Sequence, residues 1–186
     1  MRGIIMGKSK IIHRITLDAM LAALYVVLAY VTIPIGNIRL TIASLPVALA
    51  CLALGIGDGV SVAFLGEFIN QLLKYGFTLT TPIWLIPPII RALVIGLFAH
   101  FYRKQGQRLE NHYVIYFVAF IVAAIVTTGA NTLALYLDAL VFDYPFAFVL
   151  YETIIRFLTG ILTAVLLAII AQPLSRIIRN YTFSPS

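Results

Sequence analysis

Residues 113–138 read YVIYFVAFIVAAIVTTGANTLALYLD, and from Tyr113 to Leu137 no side chain carries a charge. An α-helix rises about 1.5 Å per residue, so roughly 20 apolar residues cross a hydrocarbon core about 30 Å thick. This run is long enough to do so and is bounded by His112 and Asp138. Comparable apolar runs at 14–33, 41–56, 59–75, 82–101 and 146–172 bring the predicted spans to six.

The second and third runs are short and meet at Gly55-Ile56-Gly57-Asp58-Gly59. Three glycines in five residues make a tight turn, which divides the region into two spans. Pro34-Ile35-Gly36-Asn37 and the stretch from Tyr75 to Thr81 read as ordered turns. The first run lacks a small-residue cleavage pattern and continues through Tyr25 to Ile33, so it is read as a span and not as a signal peptide. The expected fold class is an all-α integral membrane protein, one six-helix domain over residues 1–186.

Composition agrees. Of 186 residues, 62% are hydrophobic and 11% charged, with a mean hydropathy of +1.03. A soluble domain carries about 25% charged residues because it has a surface to hydrate. Six spans use most of the length, which leaves no room for a nucleotide-binding or catalytic domain. The single cysteine, Cys51, lies in an apolar run and reads as a small hydrophobe.

The net charge of +6 is placed for membrane orientation and not for nucleic acid. With the N-terminus inside, Arg2, Lys8, Lys10, Arg14, Arg103, Lys104, Arg108, Arg176 and Arg179 are cytoplasmic. Only Arg39 and Lys74 fall outside, where Asp138 and Asp143 flank the last loop. Nine against two is a strong positive-inside bias and predicts both termini in the cytoplasm.

Polar groups at membrane depth are costly and mark cavities, pathways or internal pairs. The third span carries Glu67, Asn70 and Gln71 on one helix face, and the fourth carries Trp84 and Arg91. Thr127, Thr128 and Asn131 lie in the fifth, and Tyr151, Glu152 and Arg156 in the sixth. With both termini inside, these groups share the outer half of the membrane, which predicts a ligand pocket open outward. Each residue also has a structural reading. Glu152 and Arg156 at i, i+4 neutralise each other, Glu67 pairs with Arg91, Asn131 bridges helices, and Trp84 anchors the interface.

Catalytic and metal-ligand motifs are missing. His13, His100 and His112 have no second ligand close in sequence, and neither H-E-x-x-H, G-x-S-x-G nor G-x-x-x-x-G-K-[ST] occurs. The expectation is a binding protein that is not an enzyme and has no cofactor or metal. In the first span, Ala19 and Ala23 form a small-xxx-small pair with Ala22 beside them. Such stripes let another helix approach closely in lipid, whether within the bundle or from a partner.

These features together resemble the substrate-binding (S) components of energy-coupling-factor (ECF) vitamin transporters. The resemblance rests on six spans, the Ala19-x-x-x-Ala23 pair, and the Pro34-Ile35-Gly36-Asn37 loop followed by Arg39-Leu40. It also rests on the Gly55-x-x-x-Gly59 turn with Gly66 beyond it, and on Thr80-Thr81-Pro82-x-Trp84-x-x-Pro87-x-x-x-Arg91 leading to Gly96. Asp58 departs from the family, many members having proline there. The resemblance implies a multi-pass protein of a prokaryotic plasma membrane that binds a water-soluble vitamin. It further implies docking on a transmembrane scaffold subunit driven by two cytoplasmic ATPases, and toppling in the membrane to release substrate.

Carried over, Ala19, Ala22 and Ala23 form the docking face. Arg39, Asn70, Gln71, Tyr75, Trp84, Arg91, Asn131, Tyr151 and Glu152 contact the ligand. Trp84, Tyr75 and Tyr151 suit stacking on a small aromatic ring, while Gln71, Asn131 and Glu152 suit hydroxyl and ring-nitrogen groups. That favours a pyridoxine-like or hydroxymethylpyrimidine-like vitamin. An unpaired Arg91 favours a carboxylate instead, as in pantothenate or folate. Two other functions fit the residues alone: a stand-alone proton-coupled transporter using Glu67 or Glu152, and a non-transport assembly subunit whose polar groups only join helices.

Overall fold

The computed structural model describes residues 2–35, 38–143 and 145–183, with side chains over 11–31, 41–143 and 145–179. In chain order the elements are α1 (Arg2–Tyr30), β1 (Thr32–Ile35), β2 (Ile38–Thr41), α2 (Leu45–Ala53) and α3 (Ile56–Tyr75). There follow a one-turn α4 (Thr81–Trp84), α5 (Ile86–Lys104), a short 3-10 turn (Leu109–Asn111), α6 (Tyr113–Phe142) and α7 (Phe146–Phe183). Among the described residues, four stretches are long and apolar enough to cross a membrane: Ile11–Tyr30, Thr81–Lys104, Tyr113–Phe142 and Phe146–Arg179.

The fold is helical apart from one feature that the sequence reading placed in a span and a turn. Thr32–Ile35 and Ile38–Thr41 pair antiparallel, with Ile33 opposite Leu40 and Pro34 opposite Arg39. α1 therefore stops at Tyr30, short of the expected Ile33. The alternating, β-branched Thr32-Ile33-Pro34-Ile35 suits a strand, and Pro34 resists continuation of a helix. Gly36 and Asn37 of the expected turn lie outside the described residues.

The second predicted span, 41–56, contracts to the nine residues of α2. At about 1.5 Å per residue it is some 14 Å long, less than half the hydrocarbon core. Pro46 sits in its first turn and the chain leaves it at Gly55, whose φ of 142° strongly favours glycine. Every residue of α2 is buried, since a helix apolar all round belongs inside a bundle. α3 has the length to cross but carries Asp58, Glu67 and Lys74. α7 runs past the predicted end at 172 and contains Pro173.

Packing is sequential around α2. α1 lies on α3, α3 on α5, α5 on α6 and α6 on α7, while α2 touches α1, α3, α5 and α7. The core is small-residue rich, with Ala48, Ala50, Ala63, Ala92, Ala119 and Ala168 packed around Leu49, Val62, Ile95 and Tyr116. Without a hydrophobic drive between helices in lipid, close approach through small side chains is what holds such bundles together.

One end of the bundle is cationic. Arg14 pairs with Asp58 at 2.5 Å, Arg103 donates to the Leu52 carbonyl at 3.0 Å, and Arg179 pairs with Glu110 at 3.1 Å. At the other end Lys74 donates to the Ala29 carbonyl at 3.1 Å.

Candidate functional site

A cavity of about 520 Å³ lies between the start of α2, the middle of α5, and the facing lengths of α6 and α7. Its polar wall is made by Ser44, Arg91, Asn131, Glu152 and Arg156, with Thr128 and Tyr151 beside them. Ile95, Phe120, Ala123 and Leu167 close its apolar part. An apolar chamber with a few convergent polar groups is the usual form of a small-molecule site.

Arg91 reaches the cavity from α5 and hydrogen-bonds the Ser44 hydroxyl. No carboxylate of the described residues lies within ion-pair range of it, and the expected pair with Glu67 does not form. Glu152 and Arg156, one turn apart on α7, make the i, i+4 pair at 3.4 Å. Each keeps about a third of its side chain exposed, which leaves both open to a ligand. Arg156 also lies over the Trp84 ring, 5.5 Å from its centroid. The indole N–H in turn points to Asp138 Oδ1 at 3.5 Å.

Two other hydroxyls on the cavity wall are turned into their own helix. Thr159 donates to the Ile155 carbonyl at 2.8 Å and Thr163 to the Thr159 carbonyl at 2.6 Å. Gly160 lets α6 and α7 meet here, since a Cβ on it would lie 3.0 Å from Thr128 Oγ1. Next to Thr128 on α6 but off the cavity lining, the Thr127 hydroxyl is buried without a hydrogen-bond partner.

The cavity unites Arg91, Asn131, Tyr151 and Glu152, but not the rest of the expected set. Asn70 and Gln71 face α1. Gln71 Nε2 donates to Glu67 Oε1 at 2.6 Å, Asn70 Nδ2 to Glu67 Oε2 at 3.2 Å, and Tyr25 Oη to the same oxygen at 2.6 Å. Tyr75 is 68% exposed at the end of α3. Trp84 stands behind Arg156 and does not line the cavity. Arg39 belongs to β2, but its side chain lies outside the described residues. Ser44 was missed because the apolar reading ran a helix through it, although Ser44-Leu45-Pro46 is a helix-start pattern.

On α1, Ala19 and Ala23 are exposed, whereas Ala22 is only 3% exposed and packs inside. Ile15 and Val27 extend the exposed pair along the same face, one turn away on either side. The result is a narrow, largely flat, uncovered ridge.

The family model for ECF transporter, substrate-specific component, matches residues 13–181. This chain belongs to that family. Among curated proteins no sequence matches it. The solved S component of a bacterial ECF transporter aligns with a TM-score of 0.61 at 20% identity, covering 90% of this chain and 98% of the other. At that identity the likeness shows the fold. S components are membrane-embedded binding subunits without catalytic activity, and they work with an ECF module of transmembrane and ATPase subunits. The stand-alone transporter and the assembly subunit are thereby set aside.

Proposed function

We propose that this S component captures a small water-soluble vitamin or precursor that carries a carboxylate, of the pantothenate or folate kind, in the cavity around Arg91. The supporting observation is that Arg91 reaches this cavity with a neutral hydroxyl, Ser44, as its hydrogen-bond partner and with no ion pair among the described residues. A guanidinium held at membrane depth with no carboxylate in direct contact is costly, and a ligand carboxylate offsets that cost through charge-assisted hydrogen bonds. Asn131, Tyr151 and Glu152 then read the ligand's hydroxyl and amide groups.

A second reading keeps the pyridoxine or hydroxymethylpyrimidine type, favoured by Tyr151 and Glu152 on the wall, which suit a hydroxylated ring. It loses support because neither Trp84 nor Tyr75 lines the cavity to stack on that ring. In both readings Ala19 and Ala23 seat the scaffold subunit, both termini are cytoplasmic, and two ATPases supply the energy. Equilibrium binding of radiolabelled B vitamins to the purified chain, without ATP, tests the proposal. Saturable binding of a carboxylate vitamin supports it, selective binding of pyridoxine selects the second reading, and binding of none refutes both.

A further inference from the structure

At the end of the bundle where α2 and α5 finish, a second cavity of about 290 Å³ is separate from the first. Leu52 and Ala99 form its apolar wall, and Arg103, Arg108, Glu110 and Arg179 its polar one. Three arginines face one carboxylate.

That carboxylate is already committed. Glu110 is 2% exposed and takes Arg179 Nη1 on both oxygens, at 3.1 and 3.3 Å, as well as the Ser175 hydroxyl at 3.0 Å. Its main-chain oxygen accepts from Gln172 and Arg176. Arg103 donates to the Leu52 and Leu54 carbonyls at 3.0 and 3.5 Å, which orient the guanidinium but do not neutralise it. Arg108 has no side-chain hydrogen bond or ion pair among the described residues. A buried Arg179 Nε–H lacks an acceptor. The pocket thus holds two exposed arginines, Arg103 and Arg108, that make no ion pair among the described residues, and a spare buried donor on Arg179, beside an apolar wall.

We propose that this pocket binds a phosphate group, held between Arg103 and Arg108, with Leu52 and Ala99 against the carbon skeleton that bears it. Guanidinium forks match phosphate oxygens in geometry and charge. Basic pockets between the ends of transmembrane helices are where anionic lipid headgroups settle. The chemistry is shared by an anionic phospholipid and by free phosphate, so the test separates them.

Full-length protein in detergent is titrated with phosphatidylglycerol, with phosphatidylethanolamine as control, and the lipid-bound fraction is read by native mass spectrometry. Inorganic phosphate is added in a parallel arm at matched ionic strength, and the melting temperature is recorded in both. One tight phosphatidylglycerol is expected, weakened about tenfold by Arg108→Gln, as for one charged hydrogen bond, and largely restored in Arg108→Lys. Retention of that lipid against added phosphate assigns a lipid headgroup. Displacement of the lipid, or an equal rise in melting temperature with phosphate alone, assigns free phosphate. Vitamin affinity stays unchanged in Arg108→Gln, which confirms that the variant is folded. Equal lipid retention together with an equal phosphate response in wild type and Arg108→Gln overturns the proposal. So does a variant that loses only capture of the ECF module, because the pocket is then a protein interface.

Discussion

The Tyr25 hydroxyl donates to Glu67 Oε2 at 2.6 Å and ties α1 to α3 through a carboxylate that Asn70 and Gln71 also hold. Gly66 makes this possible, since a Cβ there would lie 2.7 Å from Tyr25 Cγ. The helix bearing the exposed Ala19 and Ala23 is thus bolted to the bundle on its opposite face. Tyr25→Phe should lower stability by about 1–3 kcal/mol, the cost of leaving a buried acceptor short of one donor. Substrate affinity should not change, because none of these residues lines the proposed binding cavity. Thermal melts and equilibrium binding on the same sample check both halves. A matching loss of affinity would place the cluster in the binding site.

Arg91 should behave in the opposite way. Arg91→Ala is expected to weaken vitamin binding roughly 10–100-fold, the loss of a charge-assisted contact, while the melting temperature holds or rises as a desolvated charge is removed. Arg91→Lys should recover only part of the affinity, because an ammonium lacks the planar fork. Isothermal titration against the best vitamin from the binding screen reads this directly. An Arg91→Ala protein that binds normally would leave the carboxylate reading without support.

The contrast between Glu67 and Arg91 shows what the chain made legible. Uninterrupted apolar length marked α5, α6 and α7 and most of α1, because nothing but lipid accommodates such runs. It overran at α2, where the helix keeps only Leu45–Ala53 of the predicted 41–56 and is buried on every side. Depth in the membrane grouped Gln71 and Asn70 with Arg91 and Asn131, yet depth is one coordinate of three. Which way a helix face turns depends on its neighbours, and α3 turns that face to Tyr25 instead of the cavity. Ser44 and the hairpin were hidden for a related reason. Short β-branched and small residues beside apolar runs look like the ends of helices until the partner strand is known.

Bulk on α1 should separate the proposed docking face from the core. Ala19→Trp and Ala23→Trp should block capture by the ECF module while leaving vitamin affinity within about twofold, because the added ring projects from an exposed ridge. Ala22→Trp should instead destabilise or unfold the chain, since overpacking a filled site costs about 1–3 kcal/mol or more. Co-purification with the module and a detergent melt distinguish the two. If all three variants fail alike, the ridge is not a separate surface.

Trp84 is the chain's single tryptophan, and Arg156 lies over its ring while pairing with Glu152 on the cavity wall. A ligand that takes hydrogen bonds from Arg156 or gives them to Glu152 must alter that stack, because one guanidinium serves both neighbours. Substrate binding should therefore shift or quench the tryptophan emission, with a midpoint equal to the binding constant from titration. Arg156→Gln should abolish the optical signal by removing the cation from the ring. Trp84→Phe should keep affinity within a fewfold, since the indole orients Arg156 from behind and does not touch the ligand. A loss of more than about tenfold in Trp84→Phe would mean direct stacking, on the scale of a buried aromatic contact. The cavity would then have to extend past Arg156 toward α4.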